Sequence, residues 1–164
     1  MDEKQQIEKI TVDAFVSLHN EKIGTRYSVL KYGDYPDAVC TNANGEQFNV
    51  EVTVTGDRSG DIQWMLGRTD KRPYQGRSAS CLQDNVLAQL IERLNKKALM
   101  RYGGKSALVI RDSSPVDWDW EYVRPQVREY LEQNGNPFEL GIWVVNLTKT
   151  RLHRLDKCLD ILNE

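Results

Sequence analysis

Two carboxylates occupy neighbouring strands of a predicted β-hairpin. Residues Gln47–Thr55 alternate between apolar and polar side chains, which is typical of a strand, and Glu51 lies on the polar face. The segment Ala43-Asn44-Gly45 can form a three-residue loop, because Asn and Gly accept positive φ angles. With that loop Asp37 pairs with Glu51, whereas a loop of two or four residues shifts the register by one.

Facing carboxylates indicate a cation site. Like charges directly opposite each other on a sheet are destabilising, so this pair is more easily explained if a divalent cation lies between the two groups. The alternative is a polar sheet face that water solvates, on which Asp37 and Glu51 share no task.

Lys97 occupies the apolar side of a long predicted helix at 81–102. At about 100° per residue, Lys97 lies roughly 20° from Leu90 and within the stripe that includes Leu94, whereas Lys96 lies on the solvent side. A lysine directed at a core needs a carboxylate partner or a catalytic task, because an unpaired buried ammonium is costly. The alternative is a side chain that extends to water from near the end of the helix.

Basic residues are concentrated in two segments. Residues 58–77 carry five cations and two acids, with Trp64 and Tyr74 interleaved, and residues 93–111 carry six cations and no acid. The net charge of −2 is therefore the balance of two basic segments against an acidic remainder. Aromatic and cationic groups together suit stacking on bases and neutralising phosphates, although a solvated loop and helix face have the same composition. The candidate nucleic-acid-binding residues are Arg58, Arg68, Lys71, Arg72, Arg77, Arg93 and Arg101.

Hydrophobic periodicity predicts the elements that position these groups. The first is an amphipathic helix at 2–20, whose apolar stripe is formed by Ile7, Ile10, Ala14, Phe15 and Leu18. Two short strands at 27–30 and 38–40 precede the alternating strand, and continuous apolar runs at 106–110 and 140–145 are typical of strands buried on both faces.

The remaining segments complete an α/β order. Residues 56–79 are predicted to form a basic loop or flap, and a helix is predicted at 121–133, where Pro125 favours a start near Arg124. Four leucines predict a last helix from 150 to 164. The order α-β-β-β-α-β-α-β-α predicts an α/β sandwich around a mixed sheet.

Length and composition indicate a single soluble domain over residues 1–164. The chain has 164 residues, 40% apolar, and its three cysteines lack any CxxC spacing, so we expect buried free thiols rather than disulfides or a zinc site. No stretch approaches the ~18 apolar residues of a membrane span, and the charged start MDEKQQ is unlike a signal peptide. We therefore expect a cytoplasmic protein without a membrane partner.

Element order and motif residues together resemble the PD-(D/E)XK phosphodiesterase superfamily, which has the restriction-endonuclease-like fold. The resemblance runs from the first helix through the strand at 140–145. Members carry an Asp, often after Pro, on the second strand and an acid-x-Lys tripeptide on the third. Pro36-Asp37 matches the first motif and Glu51-Val52-Thr53 the second. Thr53 stands where the lysine belongs, and Lys97 matches the following helix to which some branches move it.

The resemblance implies a metal centre. Asp37, Glu51 and the Val52 carbonyl would hold one or two Mg²⁺ or Mn²⁺ ions, which would activate a water for attack on a phosphodiester. A further ligand would come from the first helix, where Glu8 and Glu21 are candidates.

The resemblance also implies a function. Lys97 would orient the water or offset the developing negative charge, and Thr53 would hold a water or hydrogen-bond the lysine. The expected activity is metal-dependent hydrolysis of DNA or RNA, with DNA the first choice of partner and a homodimer left open. The alternative is a nuclease-fold module that has lost catalysis and binds nucleic acid or a protein.

Overall fold

The computed structural model describes residues 2–55, 88, 90–97, 104–112, 120–149, 154–160 and 163 of the chain. The basic segment at 56–79 lies outside them. The elements are α1 (Glu3–Ile23), β1 (Ser28–Tyr32), β2 (Ala38–Thr41), β3 (Gln47–Thr55), α2 (helical at 90–97), β4 (Ser106–Asp112), α3 (Trp120–Asn134), β5 (Ile142–Lys149) and β6 (Arg154–Asp160).

The chain divides into two compact units. The first contains Met1–Thr53, Tyr102–Arg111 and Pro137–Glu164, and the second contains Val54–Arg101 and Asp112–Asn136. The predicted single domain over 1–164 stays a prediction.

Six strands form one sheet in the order β1-β2-β3-β4-β5-β6. The pairs β1–β2, β2–β3 and β5–β6 are antiparallel. The Asn49 N–H donates to the Lys105 carbonyl at 2.8 Å, which places the start of β4 beside the start of β3. Because both strands start at this point, they lie side by side only if they run in the same direction, so β3 and β4 are parallel. The sheet is mixed and the class is α/β, as predicted.

The β4–β5 neighbours also run in the same direction. The Leu140 N–H donates to the Ser106 carbonyl at 3.0 Å, and the Leu108 N–H donates to the Gly141 carbonyl at 3.1 Å. Both bonds advance along the two strands together, which is the pattern of a parallel pair. From Ala107 to Ile110, β4 is at most 1% exposed, so the predicted burial of this strand on both faces is confirmed.

Residues 154–160 form a strand, so the predicted last helix at 150–164 is wrong there. β6 pairs antiparallel with β5 over seven residues, from Trp143 opposite Asp160 to Lys149 opposite Arg154. The prediction rested on leucines three and four residues apart. A spacing of four fits one face of a strand as well as one face of a helix, and here pairing with β5 decides between them.

Local capping fixes the ends of α1. The Gln5 N–H donates to Asp2 Oδ1 at 2.8 Å, and the Asp2 N–H donates to Gln5 Oε1 at 3.2 Å, which together form a capping box. Gly24 ends the helix in the left-handed region, with φ +78°. The predicted helix at 2–20 is confirmed and extends to Ile23.

The buried face of α1 is rotated from the predicted stripe. Ile7 and Phe15 are buried as expected, and Val12 and Val16 join them. Ile10 was predicted to face the core, but it is 39% exposed. The core covers the face of the helix that runs from Ile7 through Phe15 to Val16, and Ile10 points about 60° away from the edge of that face.

An aromatic cluster joins α1 to the sheet. The His19 ring lies edge-on to Trp143, with centroids 4.9 Å apart, and 5.2 Å from Phe15. Phe48 of β3 lies 6.3 Å from His19 and 4.8 Å from Tyr27. This cluster covers the sheet face that carries Phe48, so α1 packs on the apolar side of β3.

The protein should become less stable in mild acid through His19. Burial lowers the pKa of His19 below its ordinary value of 6.5, so the unfolded chain binds a proton more readily than the folded one. The free energy of unfolding should therefore fall as the pH drops below 6.5. Urea unfolding of the wild type and His19→Gln at about pH 7.5 and about pH 5.5 measures this effect. An equal pH dependence in both proteins would contradict it.

The second unit contains two described helices in contact. The Tyr130 hydroxyl of α3 donates to Asn95 Oδ1 of α2 at 3.1 Å. Val123, Val127 and Leu131, spaced by four, are buried on one side of α3. The helix begins at Trp120 and contains Pro125 in its interior, so the expected start near Arg124 is wrong. Burial of the apolar face compensates for the hydrogen bond that proline cannot donate.

The part of the chain that the structure describes contains no helix long and apolar enough to cross a membrane. Cys40 is a buried free cysteine, as expected for that thiol, and burial followed by the charge of Asp13 raises its pKa to about 12.

Candidate active site

The β2–β3 hairpin brings Asp37 opposite Glu51. The register pairs Ala38, the first residue of β2, with Val50, and its extension by one residue beyond the strand brings Asp37 level with Glu51. The loop is the predicted one: the Asn42 N–H donates to the Glu46 carbonyl at 3.1 Å. The Asn42 side chain accepts from the backbone N–H groups of Asn44, in the loop, and of Glu46, just after it, each at 3.0 Å. The predicted register is confirmed.

The polar face of β3 is buried. Glu51 is 1% exposed, Thr53 3%, Asn49 8% and the facing Asp37 8%. The alternative of a polar face that water solvates is therefore wrong. Alternation along a strand separates two faces, but it cannot tell whether the polar face is covered, because that depends on residues distant in sequence.

Pro36 changes the backbone pairing beside this pair. Hydrogen-bonded pairs alternate along an antiparallel ladder, and counting from Asn42–Glu46 brings Pro36 opposite Val52. Pro36 has no N–H to donate to the Val52 carbonyl. The Val52 N–H donates instead to Asp37 Oδ2, at 2.7 Å. The Val52 carbonyl is thus directed towards β2, next to Asp37, at a position where the ladder supplies no donor.

A tight turn places Asp37 at the start of β2. The Gly33 N–H donates to the Asp37 carbonyl at 3.0 Å. A Cβ at Gly33 would lie 3.1 Å from the Pro36 carbonyl oxygen, so the turn closes because residue 33 has no side chain. Asp37 is therefore held through its backbone on the β1 side and through its carboxylate on the β3 side.

Thr53 presents a buried hydroxyl on the same face as Glu51. Its Oγ1 has no hydrogen-bond partner within the described residues, although the side chain is only 3% exposed. A buried hydroxyl in this state costs free energy unless water or a ligand satisfies it. The expected role of Thr53, holding a water, fits this observation.

Contacts with Tyr32 bring α1 beside the start of β2. The Tyr32 hydroxyl donates to the Asp13 carboxylate, and Lys9 Nζ lies 5.1 Å from the centroid of the Tyr32 ring. Tyr32 pairs with Ala38, the residue after Asp37. The N-terminal half of α1 therefore packs beside Tyr32, on the sheet face that carries Ala38 and Val50 and opposite to the face that carries Glu51.

Glu8 and Lys4 follow towards the N-terminus of α1. Lys4 Nζ lies 3.3 Å from Glu8 Oε1, and the two side chains are 82% and 14% exposed, respectively. The charge of Glu8, and to a smaller extent that of Asp37, raises the pKa of Lys4. Glu21, the other candidate ligand of this helix, is exposed near its C-terminal end. Of the two, Glu8 is the one next to Lys9, whose Nζ lies over the Tyr32 ring.

Lys97 lies on the side of α2 that the sequence predicted. Leu90 and Leu94 are each 1% exposed, and Lys97 is half-buried. Lys96 is exposed and forms an ion pair with Glu92 at 3.4 Å. The placement of Lys97 beside Asp37 and Glu51 stays a prediction.

Most of the predicted nucleic-acid-binding residues lie outside the described residues: Arg58, Arg68, Lys71, Arg72, Arg77 and Arg101. Arg93 is half-buried on α2. Arg111, which the sequence placed in a basic segment, is 4% exposed within β4. Its burial follows from the apolar run at 106–110, which continues as strand to Asp112.

The donor set fits a hard cation. Within the described residues, no group of three or more His, Cys, Asp or Glu side chains could hold a metal ion. Asp37, Glu51 and the Val52 carbonyl are a smaller set consisting entirely of oxygen. Mg²⁺ characteristically takes one or two protein carboxylates and keeps several waters, so this set matches its chemistry.

Comparisons with known proteins give one structural likeness. No protein-family model matches the sequence, and a search of curated proteins finds no match. Among solved structures, the chain is similar to Pyrococcus furiosus SfsA in complex with Ca²⁺, with 15% sequence identity and a TM-score of 0.43. The match covers 94% of this chain and 63% of the SfsA chain.

Proposed function

We propose that this protein is a metal-dependent nuclease of the PD-(D/E)XK type, with a restriction-endonuclease-like core. It would hydrolyse phosphodiester bonds of DNA or RNA. The observation that carries the proposal is the buried pair of Asp37 and Glu51, held opposite each other next to the Val52 carbonyl.

Burial is what makes this pair informative. Carboxylates withdrawn from water are retained only where hydrogen bonds or opposite charge compensate them, as the Val52 N–H does for Asp37. Such arrangements concentrate at functional sites. A divalent cation between Asp37 and Glu51 would offset both charges at once.

Each residue then has a chemical task. Asp37, Glu51 and the Val52 carbonyl would hold Mg²⁺ or Mn²⁺, which when bound supplies charge neutralisation and Lewis-acid activation for hydrolysis. The Asp37 carboxylate is fixed by the Val52 N–H at 2.7 Å, which prepares its geometry for binding. Thr53 would hold a water through its buried hydroxyl. Lys97 would offset negative charge that develops on the phosphate.

The substrate would bind through cationic residues. Arg58, Arg68, Lys71, Arg72 and Arg77, with Arg93 and Arg101, would neutralise backbone phosphates, and we place DNA ahead of RNA as the partner. A homodimer is compatible with cleavage of two strands.

One observation favours a second function. Thr53 stands in the position that carries lysine in the family motif, so the chain could be a nuclease-fold module that binds nucleic acid or a protein without cleaving. Cleavage assays separate the two functions.

Asp37→Asn is expected to lower Mg²⁺- or Mn²⁺-dependent cleavage of labelled DNA or RNA by about 100-fold or more. Metal-ion catalysis contributes several kcal/mol, and each ~1.4 kcal/mol is a factor of ten in rate. Asparagine keeps an oxygen that can accept from the Val52 N–H, so the hairpin should persist. Asp34→Asn, in the exposed turn before Asp37, is the matched control and should cut like the wild type. Cleavage by Asp37→Asn at the wild-type rate would overturn the mechanism, and a wild type that binds but never cuts would favour the module.

A further inference from the structure

A three-residue loop at 34–36 closes the β1–β2 hairpin directly before Asp37. The last residue of β1 pairs with the first residue of β2, and the same register continues by one step, because the Gly33 N–H donates to the Asp37 carbonyl at 3.0 Å. Tyr35 is therefore the central residue of the loop. Two residues of chain span at most about 7 Å, so the Cα atoms of Tyr35 and Asp37 lie within that distance.

Exposed apolar surface is concentrated in this hairpin. Of the six large hydrophobic residues that are exposed within the described residues, three belong to it: Leu30, Tyr32 and Tyr35. Tyr32 is held against α1 by Asp13 and Lys9. Tyr35 is 52% exposed at the tip of the loop, so a large part of its surface is accessible to a ligand.

The base of the loop fixes the position of Tyr35 relative to the carboxylate. A Cβ at Gly33 would lie 3.1 Å from the Pro36 carbonyl oxygen, so the turn is tightly closed. The Asp37 carboxylate is fixed in turn by the Val52 N–H, which donates to it at 2.7 Å. An exposed aromatic residue is thus held beside the candidate metal ligand by backbone bonds on both sides.

A nucleic-acid strand at the proposed metal centre brings bases to this distance. Successive nucleotides of a stacked strand are about 3.4 Å apart along its axis, so a base next to a metal-bound phosphate lies within a few ångströms of Asp37. A tyrosine ring offers a flat face on which any base can stack. Paired bases in a duplex are covered on both faces by their neighbours, so such a contact needs an unpaired base.

We propose that Tyr35 stacks on an unpaired base next to the phosphodiester that is cut, so that the preferred substrate is single-stranded DNA rather than a continuous duplex. The inference rests on the proposed nuclease function and names the substrate class of the same site. Tyr35 touches a base and none of the reacting atoms, so it is a binding residue. It would bind the ground state and the transition state equally, which changes KM and leaves kcat unchanged.

Fluorescence anisotropy with a labelled single strand and with the duplex of the same sequence tests the inference, using Ca²⁺ in place of Mg²⁺ to slow cleavage. Tyr35→Ala should bind the single strand about 5-fold to 100-fold more weakly, the usual value of one stacked base, and the duplex as the wild type does. Tyr35→Phe should bind like the wild type, because stacking uses the ring. Tyr122→Ala, on α3, is the matched control: Tyr122 is 46% exposed, and both affinities should stay unchanged.

Abasic nucleotides test the contact from the side of the ligand. In a series of single strands that each carry one abasic nucleotide, one position should weaken wild-type binding by the same factor as Tyr35→Ala. That strand should bind Tyr35→Ala as the intact strand does, because the partner of the missing base is already removed. Losses that add at every position would overturn the stacking contact.

Cleavage kinetics in Mg²⁺ separate the failures. A raised KM for the single strand in Tyr35→Ala, with an unchanged kcat and melting temperature, would support the inference. An active wild type, with Tyr35→Ala binding and cutting single strands equally well, would overturn the Tyr35 inference alone. An equal loss of affinity for single strand and duplex would overturn it too, since that indicates a structural role.

Two outcomes concern the proposed function itself. A wild type that neither binds nor cuts nucleic acid would overturn the proposed function and the role of Tyr35 with it. Weaker single-strand binding by Tyr35→Ala in a chain that never cuts would keep the stacking contact and overturn only catalysis.

Discussion

Glu51→Gln is expected to abolish stabilisation of the protein by Mg²⁺ or Mn²⁺. A ligand that binds only the folded state stabilises it by about 2.7 kcal/mol at 100 times its Kd, which for a chain of this size raises Tm by roughly 5–10 °C. Glutamine has nearly the same volume as glutamate, so the buried site keeps its packing while it loses one of two ligand charges. Thermal unfolding with and without metal measures the shift.

The charge of Glu51 should contribute strongly to the affinity for metal, because the side chain is 1% exposed and lies level with Asp37. A cation at this position interacts with both carboxylates in a medium less polarisable than water, where each charge counts for more. Loss of one ligand charge should therefore weaken binding far more than loss of a surface carboxylate.

Glu46→Gln provides the matched control on the same hairpin. Glu46 is exposed and accepts a hydrogen bond from Asn42 Nδ2 at 2.7 Å, which glutamine can also accept. Its melting temperature should rise with metal as in the wild type. Equal metal shifts in all three proteins would show that the ion binds elsewhere, and no shift in any of them would contradict the metal centre. This readout does not depend on finding the substrate.

The hairpin could be predicted from sequence because its determinants are local. Strict alternation from Gln47 to Thr55 sets the faces, and the Asn44-Gly45 turn sets the register, so the pairing of Asp37 with Glu51 follows from counting. The helical face on which Lys97 lies, relative to Leu90 and Leu94, could be predicted for the same reason, because it depends only on spacing within the helix.

Properties set by distant residues could not be predicted in this way. Nothing in the β3 pattern reveals that Asn49, Glu51 and Thr53 are covered, and nothing in the α1 pattern reveals that Ile10 is uncovered. The tail forms β6 because β5 offers an edge to pair with, which no periodicity within the tail contains.

Lys97→Ala is expected to lower kcat by about 10²–10³-fold, the usual cost of removing one group that stabilises transition-state charge. Lys97 continues the buried stripe of α2, whereas Lys96 is exposed and paired with Glu92 at 3.4 Å. Lys96→Ala should therefore cleave like the wild type. The increase in Tm on adding Mg²⁺ should be equal in both variants, because neither removes a proposed metal ligand. Single-turnover cleavage and thermal unfolding measure the two effects.

A second substitution shows whether the missing charge explains the loss. Thr53 occupies the position that the proposed PD-(D/E)XK motif gives to lysine, two residues after Glu51 on the same strand, so both side chains share one face of β3. Adding Thr53→Lys to Lys97→Ala should recover tenfold or more of the lost rate, because the proposed mechanism assigns the same phosphate to an ammonium at either position. Retention of the metal-dependent Tm shift would confirm that the larger side chain is accommodated. The ammonium of Lys97 does not replace the motif lysine if Lys97→Ala cleaves like the wild type. The same conclusion follows if the double variant folds and binds metal but recovers no activity. In the latter case the loss in Lys97→Ala would reflect packing of α2 rather than charge.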